Sequence, residues 1–245
     1  MASEKIAFIT GGNKGIGLET ARQLGKQGIH VVIGSRDPKN GKAAVEKLKA
    51  DGVNAETIQF DVTNPADYKA AYDYFDKHYG KLDILINNAG ISLDNFLGGN
   101  ATSSTKPDAL RKTFDTNFFA VVALTNTLLP LLRNAPAGRI VNLSSILGSN
   151  TLHATPGSPI YEAKAFGYDA SKAALNSFTI HLAHELKDTK IKVNSAHPGW
   201  VKTDMGTDAA PMEIPDGAKT SVRLATLPDD GPTGGYFHMN DALPW

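Results

Sequence analysis

Two side chains four residues apart, Tyr168 and Lys172, have the spacing and chemistry of an acid–base pair. Residues four apart in an α-helix lie on the same face, so a helical segment would bring the phenol and the ammonium together. A free tyrosine has a pKa of about 10, and a neighbouring ammonium lowers that pKa because it favours the phenolate. The pair could then protonate a carbonyl oxygen or deprotonate an alcohol near neutral pH.

A serine could complete this pair. The run RIVNLSS, residues 139–145, predicts a buried strand, and Ser145 stands at its carboxyl end. A hydroxyl there could donate a hydrogen bond to the same substrate oxygen. Because side chains alternate between the two faces of a strand, only one of Ser144 and Ser145 should point toward the site. The structural alternative for Tyr168 and Lys172 is an ordinary pair on a helix surface.

A glycine-rich turn near the start of the chain could bind an anion. The sequence TGGNKGIG, residues 10–17, follows an apolar strand and precedes a helical pattern. Gly11 would permit the sharp exit from the strand, Gly15 the approach of backbone amides to a pyrophosphate, and Gly17 close packing of helix and strand. The spacing differs from G-x-G-x-x-G, so a turn without a ligand is an alternative. Its place in the first βα turn favours dinucleotide binding.

Charges after the second predicted strand indicate which dinucleotide would bind. An NAD-type site places a carboxylate there for the ribose 2′-hydroxyl, whereas this strand ends in GSRD, residues 34–37. Arg36 could hold a 2′-phosphate, and Lys14 in the glycine turn could join it. Asp37 keeps NAD possible, and either cation could be an ordinary surface charge. Two cations flanking one expected pocket favour NADP(H) as the cofactor.

The elements that must position these residues alternate between strands and helices. Short β-branched runs predict strands, and amphipathic stretches predict helices. The strands are almost wholly apolar, which predicts one parallel sheet covered on both faces. We therefore expect one α/β domain over residues 1–245, a doubly wound, Rossmann-type fold with a central parallel sheet of about seven strands. The predicted strands are 5–10, 30–34, 54–60, 82–87, 139–145, 190–197 and 234–239, and the predicted helices 15–28, 39–51, 64–79, 108–133, 167–187 and 216–226.

Three long loops rich in Gly, Ser, Thr and Pro follow predicted strands. They span residues 91–107, 146–166 and 199–215, and they should gather at the carboxyl edge of the sheet. Ligands bind at this edge in open α/β sheets, so we predict that these loops form the substrate site. Their large apolar side chains could line a substrate pocket or merely anchor the loops: Leu93, Phe96, Leu147, Leu152, Tyr161 and Trp200.

The composition argues against several functional classes. The chain carries 25 Lys and Arg and 25 Asp and Glu, a balance that argues against a nucleic-acid partner. It has no cysteine, which excludes disulfides and thiolate chemistry. No window approaches the roughly 20 apolar residues of a membrane span, and the first residues do not have the pattern of a signal peptide, so we expect a cytoplasmic protein without a membrane partner. His181 and His184 have no evident third ligand, so we expect no metal.

Six short motifs occur in an order typical of one family. They are TGGNKGIG at 10–17, NNAG at 87–90, Asn117, LSS at 143–145, YDASK at 168–172 and PGWVKTDM at 198–205. Each motif is weak alone. Together and in register they make the chain resemble the short-chain dehydrogenase/reductase family from end to end, and the wording is most similar to that of its NADPH-dependent carbonyl reductases.

The resemblance implies roles for individual residues. It implies catalytic roles for Ser145 rather than Ser144, for Tyr168 and for Lys172, which also holds the nicotinamide ribose. It further implies that Asn117 supports a water chain to Lys172. The implied cofactor contacts are Gly11, Asn13, Lys14, Gly15, Ile16, Gly17 and Arg36, with Asp61 and Val62 at the adenine, Asn87, Ala89 and Gly90 at the ribose and nicotinamide, and Pro198, Gly199, Val201 and Thr203 at the carboxamide.

The interval between Ser145 and Tyr168 is longer than the usual family spacing. This insert puts substrate shape in doubt and leaves open whether the protein is a monomer or a homo-oligomer. The residues and the resemblance together predict an oxidoreductase that transfers a hydride from NADPH to the carbonyl of a small-molecule ketone, aldehyde or quinone. The alternatives are an NAD-dependent alcohol dehydrogenase working in the oxidative direction, a dinucleotide-binding sensor or scaffold without turnover, and a methyltransferase on a related sheet.

Overall fold

One sheet of eight strands forms the centre of the computed structural model, which describes residues 4–94 and 101–245. The strands are β1 (Ile6–Thr10), β2 (His30–Ser35), β3 (Ala55–Gln59), β4 (Ile84–Asn87), β5 (Arg139–Leu143), β6 (Lys192–Ala196), β7 (Tyr236–His238) and β8 (Asp241–Ala242). Their order across the sheet is β3-β2-β1-β4-β5-β6-β7-β8. Only the β7–β8 pair is antiparallel within these described ranges. The predicted parallel sheet of about seven strands is confirmed, with one short antiparallel strand added.

Helices cover both faces of the sheet. They are α1 (Gly15–Gly25), α2 (Pro38–Ala50), α3 (Pro65–Tyr79), α4 (Pro107–Phe114), α5 (Ala120–Asn134), α6 (Asn150–Ala154), α7 (Phe166–Glu185) and α8 (Ile214–Ala225). A π-helical segment, Asp115–Phe119, joins α4 to α5. The helix predicted over 108–133 is thus one helical run with a wider turn inside it. Such π segments are frequent at functional sites.

Each strand near the centre contributes to two apolar cores. In β1, Ala7 and Ile9 pack on the face covered by α1, α2 and α8. Ile6 and Phe8 pack on the opposite face, which α3, α5 and α7 cover. Because side chains alternate between faces, a strand buried on both sides needs apolar residues at every position. This requirement explains the continuous apolar runs from which the strands were predicted.

The order of the strands creates a crevice between β1 and β4. The chain runs outward from β1 through β2 to β3 on one side and from β4 to β5 and β6 on the other. Crossovers that diverge from one point leave a crevice at the carboxyl ends of the two central strands, where ligands bind in doubly wound folds. The glycine turn follows β1 and the NNAG segment follows β4, so the sheet brings both motifs to this crevice.

One helical run has the length and composition of a membrane span, which the sequence analysis did not predict. Residues Pro107–Asn134 are long and apolar enough to cross a bilayer by length and composition alone, and half of the most apolar window is buried within the protein. Leu124, Leu128, Leu131 and Leu132 of α5 pack in the core that also holds Phe75 of α3. Core packing therefore accounts for the buried leucines of this run.

The insert between Ser145 and Tyr168 forms a short turn, Ile146–Gly148, and helix α6. The backbone N–H of Thr151 donates to the carbonyl oxygen of Trp245 at 2.9 Å. The Trp245 ring stacks on the Tyr236 ring with 5.4 Å between centroids, and the Tyr236 hydroxyl donates to the carbonyl oxygen of Ser145. The insert, the last residue of the chain and the end of β5 therefore support one another.

Candidate active site

A cavity of about 1450 Å³ lies at the carboxyl edge of the sheet. Its wall contains residues that follow β1, β2, β3, β4, β5 and β6, so six strands contribute to one site. Most of the predicted site residues border it: Gly11, Asn13, Lys14, Gly15, Ile16, Gly17, Arg36, Asp61, Val62, Ala89, Gly90, Tyr168, Lys172, Pro198 and Thr203.

The glycine turn has the backbone conformation that its sequence predicts. Gly11 and Gly15 have φ angles of +62° and +54°, in the left-handed region that glycine adopts most readily. Helix α1 begins at Gly15, and residues 15–17 border the cavity. The first backbone N–H groups of a helix have no partner within it and carry partial positive charge. The turn therefore fits the pyrophosphate of a dinucleotide.

Asn88, which the sequence reasoning missed, holds the glycine turn against β4. Its side-chain Nδ2 donates to the carbonyl oxygens of Thr10 at 2.8 Å and Gly11 at 3.2 Å. Its backbone N–H donates to Thr10 Oγ1 at 3.0 Å. Asn88 also borders the cavity. The signal that could have found it is the second Asn of NNAG, the first residue beyond the end of a central strand.

Asn87, the neighbour chosen from the sequence, points into the protein instead. Its Nδ2 donates to Asn142 Oδ1 at 2.8 Å and to Thr125 Oγ1 at 3.1 Å, and the residue is only 2% exposed. Because side chains alternate along a strand, Asn87 and Asn88 serve different faces. Asn87 links β4 to β5 and α5 and is not part of the cavity wall.

The charged residues after β2, Arg36 and Asp37, bear on the choice between NADP(H) and NAD(H). Arg36 is exposed and borders the cavity. The Asp37 carboxylate accepts a hydrogen bond from the backbone N–H of Lys39 at 2.7 Å and so caps the first turn of α2. The buried Ser35 hydroxyl donates to the Asp37 carbonyl oxygen at 2.8 Å. The carboxylate that kept NAD possible is thus used to start a helix.

Lys14 forms an ion pair across the mouth of the cavity. Its ammonium donates to the carboxylate of Asp204, which lies in the loop 199–215. Both side chains are largely exposed, and both residues border the cavity. The glycine turn is thereby joined to the loop that carries Thr203.

Asp61 forms a turn before α3 and also borders the cavity. One carboxylate oxygen accepts from the backbone N–H of Thr63 at 2.9 Å and from the Thr63 hydroxyl at 2.8 Å, which is a turn-forming arrangement. Asp67, in the first turn of α3, accepts from the Asp61 backbone N–H at 2.7 Å. Asp61 and Val62 border the cavity, and their contact with an adenine stays a prediction.

The Tyr–Lys pair lies on one face of α7. Lys172 Nζ is 5.6 Å from the centroid of the Tyr168 ring and donates to the Leu143 carbonyl oxygen at 2.7 Å. The Ser145 side chain hydrogen-bonds the Tyr168 side chain, and this bond favours the phenolate. Ser145, rather than Ser144, therefore meets the phenol. Ser144 borders the cavity, and Ser145 does not.

Burial dominates the protonation of this pair. Loss of hydration raises the pKa of Tyr168 to about 12, and the hydrogen bond from Ser145 opposes the rise only in part. Burial lowers the pKa of Lys172 to about 8. The pKa of Tyr168 therefore shifts in the direction opposite to the one expected from its spacing to Lys172. The raised value keeps the phenol protonated, which is the form that can donate to a carbonyl oxygen.

Asn117 lies in the π-helical segment and is fully buried. Its side chain accepts from the Ile91 backbone N–H at 2.9 Å and donates to the Ile91 carbonyl oxygen at 2.8 Å and to Ser171 Oγ at 3.0 Å. A Cβ atom on Gly90 would lie 3.3 Å from Asn117 Oδ1 and 3.5 Å from Lys172 Nζ. Gly90 thus leaves space between these polar atoms, where the water chain stays a prediction.

Two predicted residues of the 199–215 loop support the cavity wall from behind. Gly199 has a φ angle of +93°, and a Cβ atom there would lie 2.1 Å from Met212 Sδ. Val201 is 3% exposed and forms a β-bridge with Met212. Neither residue borders the cavity, and both fix the backbone on which Pro198 and Thr203 reach it.

The apolar residues proposed for a substrate pocket do not line this cavity. Leu93, Leu147, Leu152, Tyr161 and Trp200 are absent from its wall within the described ranges, and Phe96 lies outside the described residues. The Trp200 indole N–H instead donates to the Gly206 carbonyl oxygen at 2.8 Å, so this side chain anchors its loop. Large apolar side chains that do border the cavity include Ile91, Phe119, Met205 and Ile214.

This fold and site define the class of dinucleotide-binding α/β oxidoreductases. The family model for "short chain dehydrogenase" matches residues 5–214, and the chain belongs to this family. Short-chain dehydrogenase/reductase 1 of Saponaria officinalis is 34% identical over 100% of this chain and 97% of its own. Carbonyl reductase [NADPH] 1 of Mus musculus is 32% identical over 100% and 99%. The structure of NADPH-bound carbonyl reductase from chicken fatty liver superposes with a TM-score of 0.84, at 27% identity, covering 99% of both chains.

Proposed function

We propose that this protein transfers a hydride from NADPH to the carbonyl group of a small ketone, aldehyde or quinone. The observation that carries the proposal is that the glycine turn, Arg36, Tyr168 and Lys172 border one cavity. A dinucleotide site and an acid–base pair are thus within reach of the same bound molecules. The similarity to the carbonyl reductases named above supports this choice of reaction.

The residues of the cavity fit NADP(H) better than NAD(H). The first turn of α1 would hold the pyrophosphate, and Arg36 would pair with the 2′-phosphate. Lys14 stands nearby in the same turn, although Asp204 competes for its ammonium. The capping role of Asp37 leaves no carboxylate at the usual place for a ribose 2′-hydroxyl among the described residues that border the cavity after β2.

The chemistry can be assigned to three side chains. When bound, NADPH supplies the hydride. Tyr168 donates its phenolic proton to the carbonyl oxygen, and Ser145 holds that oxygen by a hydrogen bond. The ammonium of Lys172 stabilises the phenolate that forms, and it binds the cofactor ribose when it turns from Leu143. Asn117 and Gly90 border the path by which a proton would return to Tyr168 from solvent.

The test is an assay with paired cofactors and paired tyrosine variants. Purified protein is mixed with NADPH or NADH and a panel of aldehydes, ketones and quinones, and loss of reduced nicotinamide is followed. We expect turnover with NADPH to exceed that with NADH, and Tyr168→Phe to lose on the order of 10²–10⁴ of the rate, the usual contribution of a general acid. The control is Tyr161→Phe, because Tyr161 does not border the cavity. Unchanged turnover in Tyr168→Phe would refute the proposal.

A dinucleotide sensor without turnover gives a different result in the same assay. It would bind NADPH, measured by nicotinamide fluorescence, and consume none with any member of the panel. An NAD-dependent alcohol dehydrogenase would instead prefer NADH to NADPH with the carbonyl panel, and it would oxidise alcohols with NAD⁺. Preference for NADPH with turnover excludes both.

A further inference from the structure

A buried histidine, His197, joins the turn that follows Ser145 to the loop that follows β6. His197 follows β6, directly before Pro198, and is 8% exposed. Two backbone N–H groups converge on its ring nitrogen Nδ1. One belongs to Ile146, at 3.1 Å, and the other to Gly199, at 3.4 Å.

These two amides belong to segments with different tasks. Ile146 directly follows Ser145, whose hydroxyl accepts from the Leu147 N–H at 3.3 Å. Gly199 follows Pro198, which borders the cavity at the proposed seat of the carboxamide. One imidazole nitrogen therefore connects the turn after Ser145 with the loop at which the nicotinamide carboxamide is proposed to bind.

The chemistry of the ring fits this role. A nitrogen that accepts two N–H groups carries no proton, so the proton of the neutral ring is on Nε2. Burial, together with the neighbouring His238, lowers the pKa of His197 to about 3, so the ring stays neutral. The two histidine rings lie 5.0 Å apart, and His238 Nδ1 donates to the His197 carbonyl oxygen at 3.0 Å. Both the backbone and the ring of His197 are thus fixed.

We propose that His197 is a positioning residue. By accepting hydrogen bonds from the Ile146 and Gly199 backbone N–H groups at Nδ1, it fixes Ser145 relative to the loop that would bind the nicotinamide. The proposal rests on the proposed function, because that function gives Ser145 and the nicotinamide-binding loop their roles. Catalysis in such a site depends on placing the carbonyl oxygen and the hydride donor together, and a misplacement of 1 Å can cost about 10²-fold in rate.

Two variants of His197 separate the acceptor from the bulk of the ring. In His197→Asn the side-chain oxygen is bonded to Cγ, as Nδ1 is in histidine, so a hydrogen-bond acceptor is kept at that position. In His197→Leu the volume is similar and the acceptor is lost. We expect the leucine variant to lose roughly 10- to 100-fold in kcat with little change in KM for the carbonyl, and the asparagine variant to recover most of that loss. Equal losses in both variants, or wild-type kcat in the leucine variant, would overturn the proposal.

A second measurement does not depend on turnover or on a folded leucine variant. Nitrogen-15 spectra of the histidine rings in the wild-type protein report which nitrogen is protonated, and the His197→Asn spectrum identifies the signals of His197. We expect an unprotonated Nδ1 and a protonated Nε2 throughout the neutral range. A protonated Nδ1 would overturn the proposal even if the enzyme reduces carbonyls. If the protein has no reductase activity but shows this tautomer, the function fails while the contact at Nδ1 stands.

Discussion

The side-chain amide of Asn88 occupies the space that a methyl group on Gly17 would need. A Cβ atom on Gly17 would lie 2.5 Å from Asn88 Nδ2 and 2.6 Å from the Gly11 carbonyl oxygen. Gly17 is therefore required by the contact of Asn88, which follows β4, with the glycine turn.

Replacement of Gly17 by alanine should disturb this contact. The methyl group must displace either the Asn88 amide or the backbone of the glycine turn, and overpacking of this kind costs about 1–3 kcal/mol. We expect Gly17→Ala to weaken NADPH binding about tenfold or more, since each tenfold is ~1.4 kcal/mol. Fluorescence titration with NADPH measures the dissociation constant.

The matched control is Gly28→Ala, just beyond the end of α1. Gly28 has a φ angle of +80° and nothing within 4 Å of an added Cβ atom. This change should cost roughly 1–2 kcal/mol of stability through backbone strain alone and leave NADPH affinity unchanged. If both variants lose affinity equally, the effect of Gly17 is general destabilisation and not the contact with Asn88.

The fold followed from the sequence because each central strand is buried on both faces. The first four residues of β1 are all apolar, with Ile6 and Phe8 on one side and Ala7 and Ile9 on the other. Strict alternation of such strands with helices then implies a parallel sheet. The antiparallel β8 could not be foreseen, since two exposed residues carry no periodic signal. Spacing alone likewise placed Tyr168 and Lys172 on one helix face.

The parts of the site that were missed depend on three-dimensional surroundings. The choice between Asn87 and Asn88 depends on where β4 ends, and the use of Asp37 as a helix cap depends on where α2 begins. The direction in which the Tyr168 pKa shifts depends on the balance between burial and a nearby charge, and residue spacing indicates only the charge.

Arg36 should determine the preference for NADPH. Hydrogen bonds to charged groups contribute about 1.5–3 kcal/mol, so Arg36→Gln should weaken NADPH binding roughly 10- to 100-fold. NADH has no 2′-phosphate, so its affinity should change little. Lys39→Gln is the control, because Lys39 is an exposed cation on α2 that does not border the cavity. Equal loss of NADPH and NADH affinity would show that Arg36 does not read the phosphate.

Asp204 should weaken NADPH binding by holding the Lys14 ammonium. The hydrogen bond from Lys14 lowers the pKa of Asp204, so this carboxylate is charged at neutral pH. Asp204→Asn should lower the KM for NADPH relative to NADH by a few fold at low salt, and the gain should shrink as salt screens the exposed charges. The thermal midpoint should not change, because exposed ion pairs add little stability.

Asp208→Asn provides the control for the Asp204 experiment. Asp208 borders the same cavity from the same loop, so its substitution removes the same charge and leaves the Lys14–Asp204 ion pair in place. A similar gain in both variants would assign the effect to net charge at the cavity mouth. Weaker NADPH binding in Asp204→Asn would mean that Asp204 orients Lys14 for the phosphate.

Lys172 should lower the stability of the fold while it serves catalysis. Burial lowers its pKa from 10.5 to about 8, and at about 1.4 kcal/mol per pH unit this costs the folded state about 3 kcal/mol. The hydrogen bond to Leu143 offsets about 1 kcal/mol of that cost. Lys172→Met should therefore abolish turnover and raise the free energy of unfolding at pH 7 by about 2 kcal/mol.

The pH dependence of this gain has a definite sign. Below pH 8 Lys172 is charged in both the folded and the unfolded states, so the full penalty of the buried charge is present. As pH rises from about 8 to 10.5 the folded state loses its proton first, the unfolded state binds more protons, and the wild type gains stability relative to the variant. Urea unfolding at pH 7 and at pH 10 measures the difference, with Lys187→Met, an exposed lysine just after α7, as the control. A Lys172→Met protein less stable than the wild type at pH 7 would show that the Leu143 bond outweighs the burial of the charge.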